Sequence, residues 1–176
     1  MKTLRVSLLA TVVLVVSALP VAADLLTTWD TVIIGATRFR VLVGFNNAAV
    51  LDRETGLVWE RSPDTGTRDW LSAHRFCIDR SVGIGNRKGW RLPTVQEIVS
   101  LVDPTRNPPS LPVGHPFTNV QPDFYWSATT FGENPSLAWG AGFENDLTEP
   151  GARFTTKTTA RLVWCVRSGH GGPDVQ

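Results

Sequence analysis

The sequence lacks the short motifs that mark many enzyme and metal sites. Its three histidines, His74, His115 and His170, do not have the spacing of metal ligands, and its two cysteines have no zinc-type partners close in sequence. No Gly-x-Ser-x-Gly, phosphate-binding glycine loop or His-Glu-x-x-His stretch is present. These absences predict a protein without enzymatic activity, although carboxylates distant in sequence could still meet in the fold.

Neither sign of charge is in excess. The chain carries 17 Lys and Arg residues against 16 Asp and Glu residues, for a formal net charge of +1. So close a balance gives no general attraction to nucleic acid or to an anionic membrane surface. We therefore expect no nucleic-acid partner, and an acidic ligand would need a local cluster of basic side chains.

Beyond the N-terminus, no apolar run is long enough to span a bilayer. At the N-terminus, two basic residues precede an apolar run over residues 6–19, and small residues stand just before Asp24. This pattern predicts a signal peptide over residues 1–23, with an uncleaved membrane anchor as the alternative. Export would place the protein in the periplasm or the medium without stable membrane insertion. It would leave roughly 150 residues, which suits one domain.

Cysteine is scarce. In an exported chain, Cys77 and Cys165 predict one disulfide that ties the middle of the chain to its last strand. The alternative is one reactive thiol with an unpaired second cysteine. A bridge of this span would serve stability, because it closes a long loop.

Local patterns divide the N-terminal half into short elements. Residues 24–47 are predicted to be a lead-in and a first strand, because apolar residues alternate with other residues over 38–45. A hairpin is predicted around the Asp52–Gly56 turn, whose glycine supplies a positive φ. Residues 61–68 are predicted to form a loop.

Two helices are predicted from caps and apolar spacing. The first begins after a cap at Asp69 or Thr67 and ends near Arg80. The second begins at a capping box formed by Thr94 and Glu97. The inward face of the first helix comprises Trp70, Ala73, His74 and Cys77.

The rest of the chain is predicted to be one loop followed by strands. Residues 103–124 contain six prolines and predict a long ordered loop. The seven tryptophans are spread over the predicted elements and are expected to build the core. Strands are predicted at residues 125–130, 137–143, 153–159 and 160–167, with a turn at 144–146.

Five blocks of sequence occur in a characteristic order. They are Thr55-Gly56-Leu57-Val58-Trp59, Trp70 to Cys77, Gly89-Trp90-Arg91-Leu92-Pro93-Thr94, Tyr125-Trp126-Ser127 and Cys165-Val166-Arg167. Together they resemble a bacterial family that is numbered 1566 among domains of unknown function and is also called the Lcl C-terminal domain. The similarity covers residues 48–168 and leaves residues 169–176 as a flexible tail.

The resemblance also implies a fold. The family is similar, more distantly, to C-type-lectin-like domains, in which a helix bearing alanine and cysteine is bridged to the last strand and the terminal strands are neighbours. We therefore expect one α+β domain, C-type-lectin-like, with two helices packed on a twisted, mostly antiparallel sheet. One disulfide would join Cys77 to Cys165.

The same resemblance implies recognition rather than catalysis. The family takes its name from a collagen-like adhesin that binds sulfated glycans, so we expect an exported recognition or adhesion module for a glycan or another envelope polymer. This chain has no collagen-like Gly-X-Y tract and no basic excess, and its oligomeric state is left open. The alternatives are an envelope structural or protein-interaction subunit and an exported enzyme.

Basic residues near the C-terminus are the first candidates for ligand contacts. Arg153, Lys157 and Arg161 would share a face if residues 153–161 formed one strand, and could then bind sulfate or carboxylate groups. The alternative is a solvated edge strand protected by charge. Arg91 is expected to hold the core together rather than to bind ligand.

Acidic and amide residues form a second set of candidates. The sequence Gln121-Pro122-Asp123 is similar to the calcium and sugar motif of C-type lectins, and Glu144, Asn145 and Asp146 are similar to the second half of that site. In those lectins, however, the aromatic strand precedes the Gln-Pro-Asp loop, whereas here it follows. We therefore expect an ordinary loop and turn and no cofactor, with bound calcium as the alternative.

Overall fold

The computed structural model describes residues 37–83, 86–144 and 151–169. The predicted signal peptide of residues 1–23 and most of the predicted lead-in lie outside these ranges, as does the predicted tail apart from Gly169. No helix in the described ranges has the length and apolar character needed to cross a membrane.

The described residues form nine β-strands, two α-helices and a short 3-10 helix, which confirms an α+β protein with two α-helices. In chain order the elements are β1 (Phe39–Val41), the 3-10 helix (Val43–Phe45), β2 (Ala49–Asp52), β3 (Leu57–Glu60), β4 (Asp64–Arg68), α1 (Trp70–Asp79), α2 (Val95–Val99), β5 (Phe124–Thr130), β6 (Leu137–Gly142), β7 (Gly151–Thr156), β8 (Arg161–Val163) and β9 (Val166–Ser168).

The strands are arranged in two sheets. The order is β1-β2-β3-β9 in the four-stranded sheet and β4-β8-β5-β6-β7 in the five-stranded sheet. The described strand pairs are antiparallel except for β5 and β8, which are parallel. Alternate residues of both sheets enter two apolar cores. The first core contains Trp59, Tyr125 and Trp164, and the second contains Trp126 and Cys165.

The closing segment, residues 161–168, passes from the five-stranded sheet to the four-stranded sheet. The prediction of one final strand is wrong, because β8 pairs with β4 and β5 whereas β9 pairs with β3. The segment runs antiparallel to β3 and β4, which are themselves separated at Pro63. Proline has no N–H to donate to a neighbouring strand. At this point the segment that contains β3 and β4 passes from one sheet to the other, as the closing segment does. The side chains nevertheless keep alternating between the two cores.

Two other predicted boundaries are also wrong. The strand predicted over residues 38–45 ends at Val41, because a 3-10 turn follows. Leu42 and Phe45 are three positions apart, so this turn directs both side chains into the second core. The side chain of Val43, between them, is 77% exposed. The loop predicted over residues 61–68 contains β4. Its mostly polar sequence carries no strand pattern, and it is ordered by pairing with β8.

The predicted hairpin is present, but the first and last strands of the described residues, β1 and β9, are not neighbours. Gly56 has a φ of 69° in the turn between β2 and β3. This hairpin lies between β1 and β9, because β1 pairs with the free edge of β2 and β9 with the free edge of β3. The prediction of adjacent terminal strands is therefore wrong.

The predicted disulfide is present. Cys77 in α1 is bonded to Cys165, at the point where the closing segment changes sheets, and the two residues are 88 positions apart. Both are fully buried. The alternative of a reactive thiol is therefore wrong, since neither cysteine is free.

The proline-rich loop is ordered by its contacts with the first core. No helix or strand occurs between Ser100 and Asp123, as predicted. Leu111, Phe117 and Val120 are buried in that core. The loop backbone is also anchored, since the Ser110 N–H donates to the Phe143 carbonyl at 2.9 Å.

Both helices begin at predicted caps. The Asp69 carboxylate accepts from the Ser72 N–H at 2.8 Å, so Asp69 rather than Thr67 is the cap of α1. At α2 the Thr94 hydroxyl accepts from the Glu97 N–H at 3.2 Å, and the Glu97 carboxylate accepts from the Thr94 N–H at 2.7 Å.

The Glu97 carboxylate also accepts from both Nη atoms of Arg91 at 2.7 Å, which is the structural role expected of Arg91. Burial opposes ionisation of Glu97, but hydrogen bonds from Arg91 and Thr94 outweigh it and lower its pKa.

Glu97→Gln is expected to lower the free energy of unfolding by about 1 kcal/mol at neutral pH, since the Arg91 pair is partly exposed to solvent. Glutamine keeps the capping box, so the change isolates the ion pair. A lowered pKa in the folded protein stabilises it above the unfolded-state pKa of about 4.3, and this stabilisation is lost as pH falls through the folded-state pKa. Urea unfolding should show a difference near pH 7 that is smaller near pH 3. An equal difference at both pH values would contradict this assignment.

Candidate functional site

Two glycines of β6 let larger groups lie directly on the strand backbone. A Cβ at Gly140 would lie 2.2 Å from the Tyr125 carbonyl oxygen and 2.5 Å from ring atoms of Phe124. A Cβ at Gly142 would lie 2.3 Å from Nη2 of Arg153. The Phe124 ring and the Arg153 guanidinium therefore occupy space that any other residue at these positions would fill.

Two arginines from different strands converge on Phe124. The Cζ atom of Arg153, from β7, is 5.7 Å from the ring centroid, and that of Arg161, from β8, is 5.3 Å from it. Arg153 forms an ion pair with Glu144, and Nη1 of Arg161 is 4.0 Å from Oδ1 of Asp123. We call these five residues the Phe124 cluster. Its members come from β5, β7, β8 and the ends of two loops, so the fold alone brings them together.

The two arginines of the cluster are held differently. The side chain of Arg153 is 22% exposed beside that of Glu144. Arg161 is 36% exposed, and its Nε is buried without a hydrogen-bond partner among the described residues. The separation of 4.0 Å from Asp123 exceeds hydrogen-bond distance. Arg161 is thus a guanidinium positioned by an aromatic ring, with donors available to a ligand.

The Asp123 loop is fixed by Tyr125. The Tyr125 hydroxyl accepts from the Gln121 N–H at 2.8 Å, and burial raises the pKa of Tyr125 to about 12. Oδ1 of Asp123 accepts from the Phe124 N–H at 2.6 Å. The carboxylate is therefore engaged in the local turn as well as facing Arg161. The Gln-Pro-Asp sequence thus forms an ordered loop beside the cluster.

A family model described as the Lcl C-terminal domain matches residues 48–167, more than half of the chain. The chain belongs to the Lcl C-terminal domain family. This result confirms the family expected from the five sequence blocks. The match contains the disulfide and the whole Phe124 cluster, whereas β1 precedes it. No curated protein matches the chain.

In this Lcl C-terminal domain, four of the seven predicted ligand residues come together. Asp123, Glu144, Arg153 and Arg161 all belong to the Phe124 cluster. Asn145 and Asp146 lie outside the described residues. The reason given for grouping the basic residues is wrong, because β7 ends at Thr156 and β5 and β6 separate β7 from β8. Arg153 and Arg161 meet across the sheet, which no periodicity along the chain could indicate.

Lys157 directly follows the last residue of β7, four positions beyond Arg153. Its Nζ donates to the Thr130 hydroxyl at 2.9 Å and lies 4.0 Å from the Trp70 ring centroid. The His74 ring packs against Trp70 at a centroid distance of 4.2 Å. Burial lowers the pKa of His74, and the charge of Lys157 lowers it further. We call these four residues the Lys157 cluster.

A group of aromatic side chains on the domain surface was not predicted. Phe131, Trp139 and Phe154 pack together with centroid distances of 4.4 to 5.4 Å, and Phe154 is 47% exposed. Trp139 and Phe154 are direct cross-strand partners on β6 and β7. The expectation that tryptophans build the core holds for Trp59, Trp90, Trp126 and Trp164, whereas Trp139 is only partly buried. A cue was available in the sequence, since both strands place an aromatic residue among small or polar ones.

The remaining candidate groups are dispersed. His115 stacks on Phe117, a residue of the first core, at a centroid distance of 6.0 Å, and partial burial lowers the pKa of His115. Among the described residues, no three His, Cys, Asp or Glu side chains are grouped as metal ligands would be. Asp123 and Glu144 each face an arginine instead.

Proposed function

We propose that this protein is a non-enzymatic recognition module that binds an acidic glycan or a similar envelope polymer at the Phe124 cluster. One observation carries the proposal. The Arg161 guanidinium lies on the Phe124 ring. Among the described residues it faces one carboxylate, that of Asp123, which is too far away for a hydrogen bond. A sulfate or carboxylate group accepts two parallel hydrogen bonds from such a guanidinium. The Phe124 ring beneath it is buried and serves to hold the guanidinium in place.

Ligand binding would replace the weak Arg161–Asp123 contact with a stronger contact between Arg161 and an anionic group. At 4.0 Å and with both side chains partly exposed, the Arg161–Asp123 pair contributes little to stability. An anionic group on a ligand would form charge-assisted hydrogen bonds with Arg161 in its place. Arg153 and Glu144 would remain paired as the wall of the site. Binding therefore requires no large rearrangement of the domain.

We propose that binding needs no metal ion. Asp123 and Glu144, the described acidic residues similar to a calcium motif, each face a guanidinium. A cation would have to compete with these positive charges. Addition of calcium or of a chelator should therefore leave the affinity for an acidic glycan unchanged.

Arg161→Ala is expected to weaken binding of an acidic oligosaccharide by roughly tenfold to a hundredfold, the value of one or two charge-assisted hydrogen bonds. Glycan-array screening of the native protein, followed by calorimetry with the best sulfated or uronic ligand, would measure it. Arg106→Ala is the matched control, because it removes an exposed, aspartate-paired arginine from the proline-rich loop. Native affinity in Arg161→Ala, or no binding of any acidic glycan, would contradict the proposal.

The aromatic surface favours a second candidate function, that of an envelope protein-interaction subunit. Phe131 and Trp139 are partly buried and Phe154 is exposed, and together they form an apolar surface of the kind that protein interfaces use. Capture of one stoichiometric protein partner by the native domain, abolished by Phe154→Ser, would support this function. Acidic-glycan affinity unaffected by Phe154→Ser would separate the two functions.

We also infer that the protein is exported and that its fold is C-type-lectin-like. The buried disulfide supports export, since such bridges persist in oxidising compartments. The bridge from α1 to the closing segment supports the fold. Mass spectrometry of the mature N-terminus would test cleavage before Asp24. An experimental structure with another strand order would contradict the fold.

A further inference from the structure

One face of the edge strand β7 connects the two basic clusters. Successive residues of a strand point to opposite faces, so Arg153 and Thr155 share one face, and Lys157 continues the same alternation where the strand ends. Among the described strands, β7 is the last of its sheet and pairs only with β6. A ligand along this face would pass Arg153, which stays paired with Glu144, and would then meet Thr155 and Lys157.

The Lys157 cluster has the chemistry of an anion site. No Asp or Glu among the described residues lies within ion-pair distance of its Nζ, which contacts the Thr130 hydroxyl and the Trp70 ring. An anionic group here would meet a lysine charge that no nearby carboxylate offsets and the Thr130 hydroxyl. This charge complementarity resembles that at Arg161, although the elements that supply it differ.

The distance between the clusters limits what can bind both. Arg153 and Lys157 are separated by four residues of extended chain, which corresponds to roughly 13 Å. A single sulfate or carboxylate therefore reaches only one cluster. Thr155, between them, offers a hydroxyl to a neutral part of the same ligand.

We propose that the ligand is a linear acidic glycan that lies along β7 and places one anionic group at the Phe124 cluster and another at the Lys157 cluster. This inference rests on the proposed function and specifies its ligand: an extended chain with acidic groups spaced by more than one sugar. The shared chemistry is an anionic group on a sugar, which sulfated and uronic chains both supply.

Two linked contacts on one chain produce a length dependence. Once the first acidic group is bound, the second is held at high effective concentration, so affinity rises steeply when the chain is long enough to span both clusters. Both contacts are electrostatic and partly exposed, so the gain should decrease as salt is added. Binding to the Phe124 cluster alone would produce no such step.

The test is calorimetry with di-, tetra- and hexasaccharides, in one sulfated series and one uronic series. We expect at least about a tenfold gain in affinity between the disaccharide and the hexasaccharide. Lys157→Met should abolish that gain while changing disaccharide affinity less than about twofold, because a disaccharide reaches only the Phe124 cluster. Lys88→Met is the control, since it removes an exposed lysine whose Nζ contacts the Asp79 carbonyl on another surface. If affinity rises with chain length in only one of the two series, that series identifies the anionic group that the protein recognises.

The outcomes separate this inference from the function on which it rests. If no acidic saccharide binds at any length, the proposed function fails. A second outcome is that saccharides bind with an affinity that depends on Arg161 but does not rise with chain length, and a third is that the rise persists in Lys157→Met. Either result would refute the contact at the Lys157 cluster and leave the proposed function intact. A poly-glutamate peptide that binds as tightly as the hexasaccharide would show that charge spacing on a protein partner, rather than a sugar chain, is recognised.

Discussion

Replacement of both Cys77 and Cys165 by alanine is expected to lower the free energy of unfolding by roughly 4–5 kcal/mol, because the bridge closes a loop of 88 residues in the unfolded chain. The effect is large relative to the total stability of an ordinary domain, which is about 5–15 kcal/mol. The bridge also attaches α1 at the point where the closing segment leaves one sheet for the other. Its loss should therefore loosen both sheets, and not α1 alone.

The measurement is urea unfolding followed by tryptophan fluorescence. The oxidised protein should resist reductant while folded, because both cysteines are fully buried. Once unfolded in reductant, it should refold with the reduced stability of the double alanine variant. Adding reductant to that variant is the control and should change nothing. Equal urea concentrations at the unfolding midpoint of the native protein and of the variant would refute the expected contribution of the disulfide to stability.

Trp164→Ala is the second change with a large expected effect, a loss of roughly 3–5 kcal/mol. The ring is fully buried in the closing segment and packs against four aromatic neighbours in the first core, Trp59, Phe117, Tyr125 and Phe143. Its Nε1 donates to the Glu60 carbonyl at 2.9 Å. Removal would leave a cavity between the two sheets and an unpaired buried carbonyl.

Trp139→Ala is the matched control for this experiment. Trp139 is partly buried on the aromatic surface, so the same truncation should cost much less, about 1 kcal/mol. Trp164→Phe separates packing from hydrogen bonding, because it keeps most of the ring volume and removes the donor. Thermal and urea unfolding of the three variants would give the comparison. Similar losses for Trp164→Ala and Trp139→Ala would show that the first core does not depend on Trp164.

Elements whose signals are local were predicted well. The turn before Gly56, the Asp69 cap and the Thr94–Glu97 capping box each depend on residues within one or two turns of chain. Their backbone requirements are met by neighbours in sequence, so the pattern determines the conformation. The same holds for β5 and β6, whose apolar and β-prone runs coincide with the strands observed.

Elements that depend on a distant partner were predicted poorly. Strand β4 is polar and is ordered by β8, so its own residues give no signal. The closing segment alternates like one strand but changes partners between Val163 and Val166. Glu60 is a further example. Burial beside the closing segment raises the pKa of its carboxyl, while Arg80 opposes the shift, and this pairing is visible only in the fold.

The candidate site shows the same division. The sequence by itself determined the family, the α+β class, the two helix starts and the cysteine pair, because each depends on residue type and local order. Only the tertiary structure placed Arg153 and Arg161 on Phe124, and Lys157 on the Trp70 ring. The reason is geometric: residues on β5, β7 and β8 meet through the strand order of the sheet, and spacing along the chain carries no record of that order.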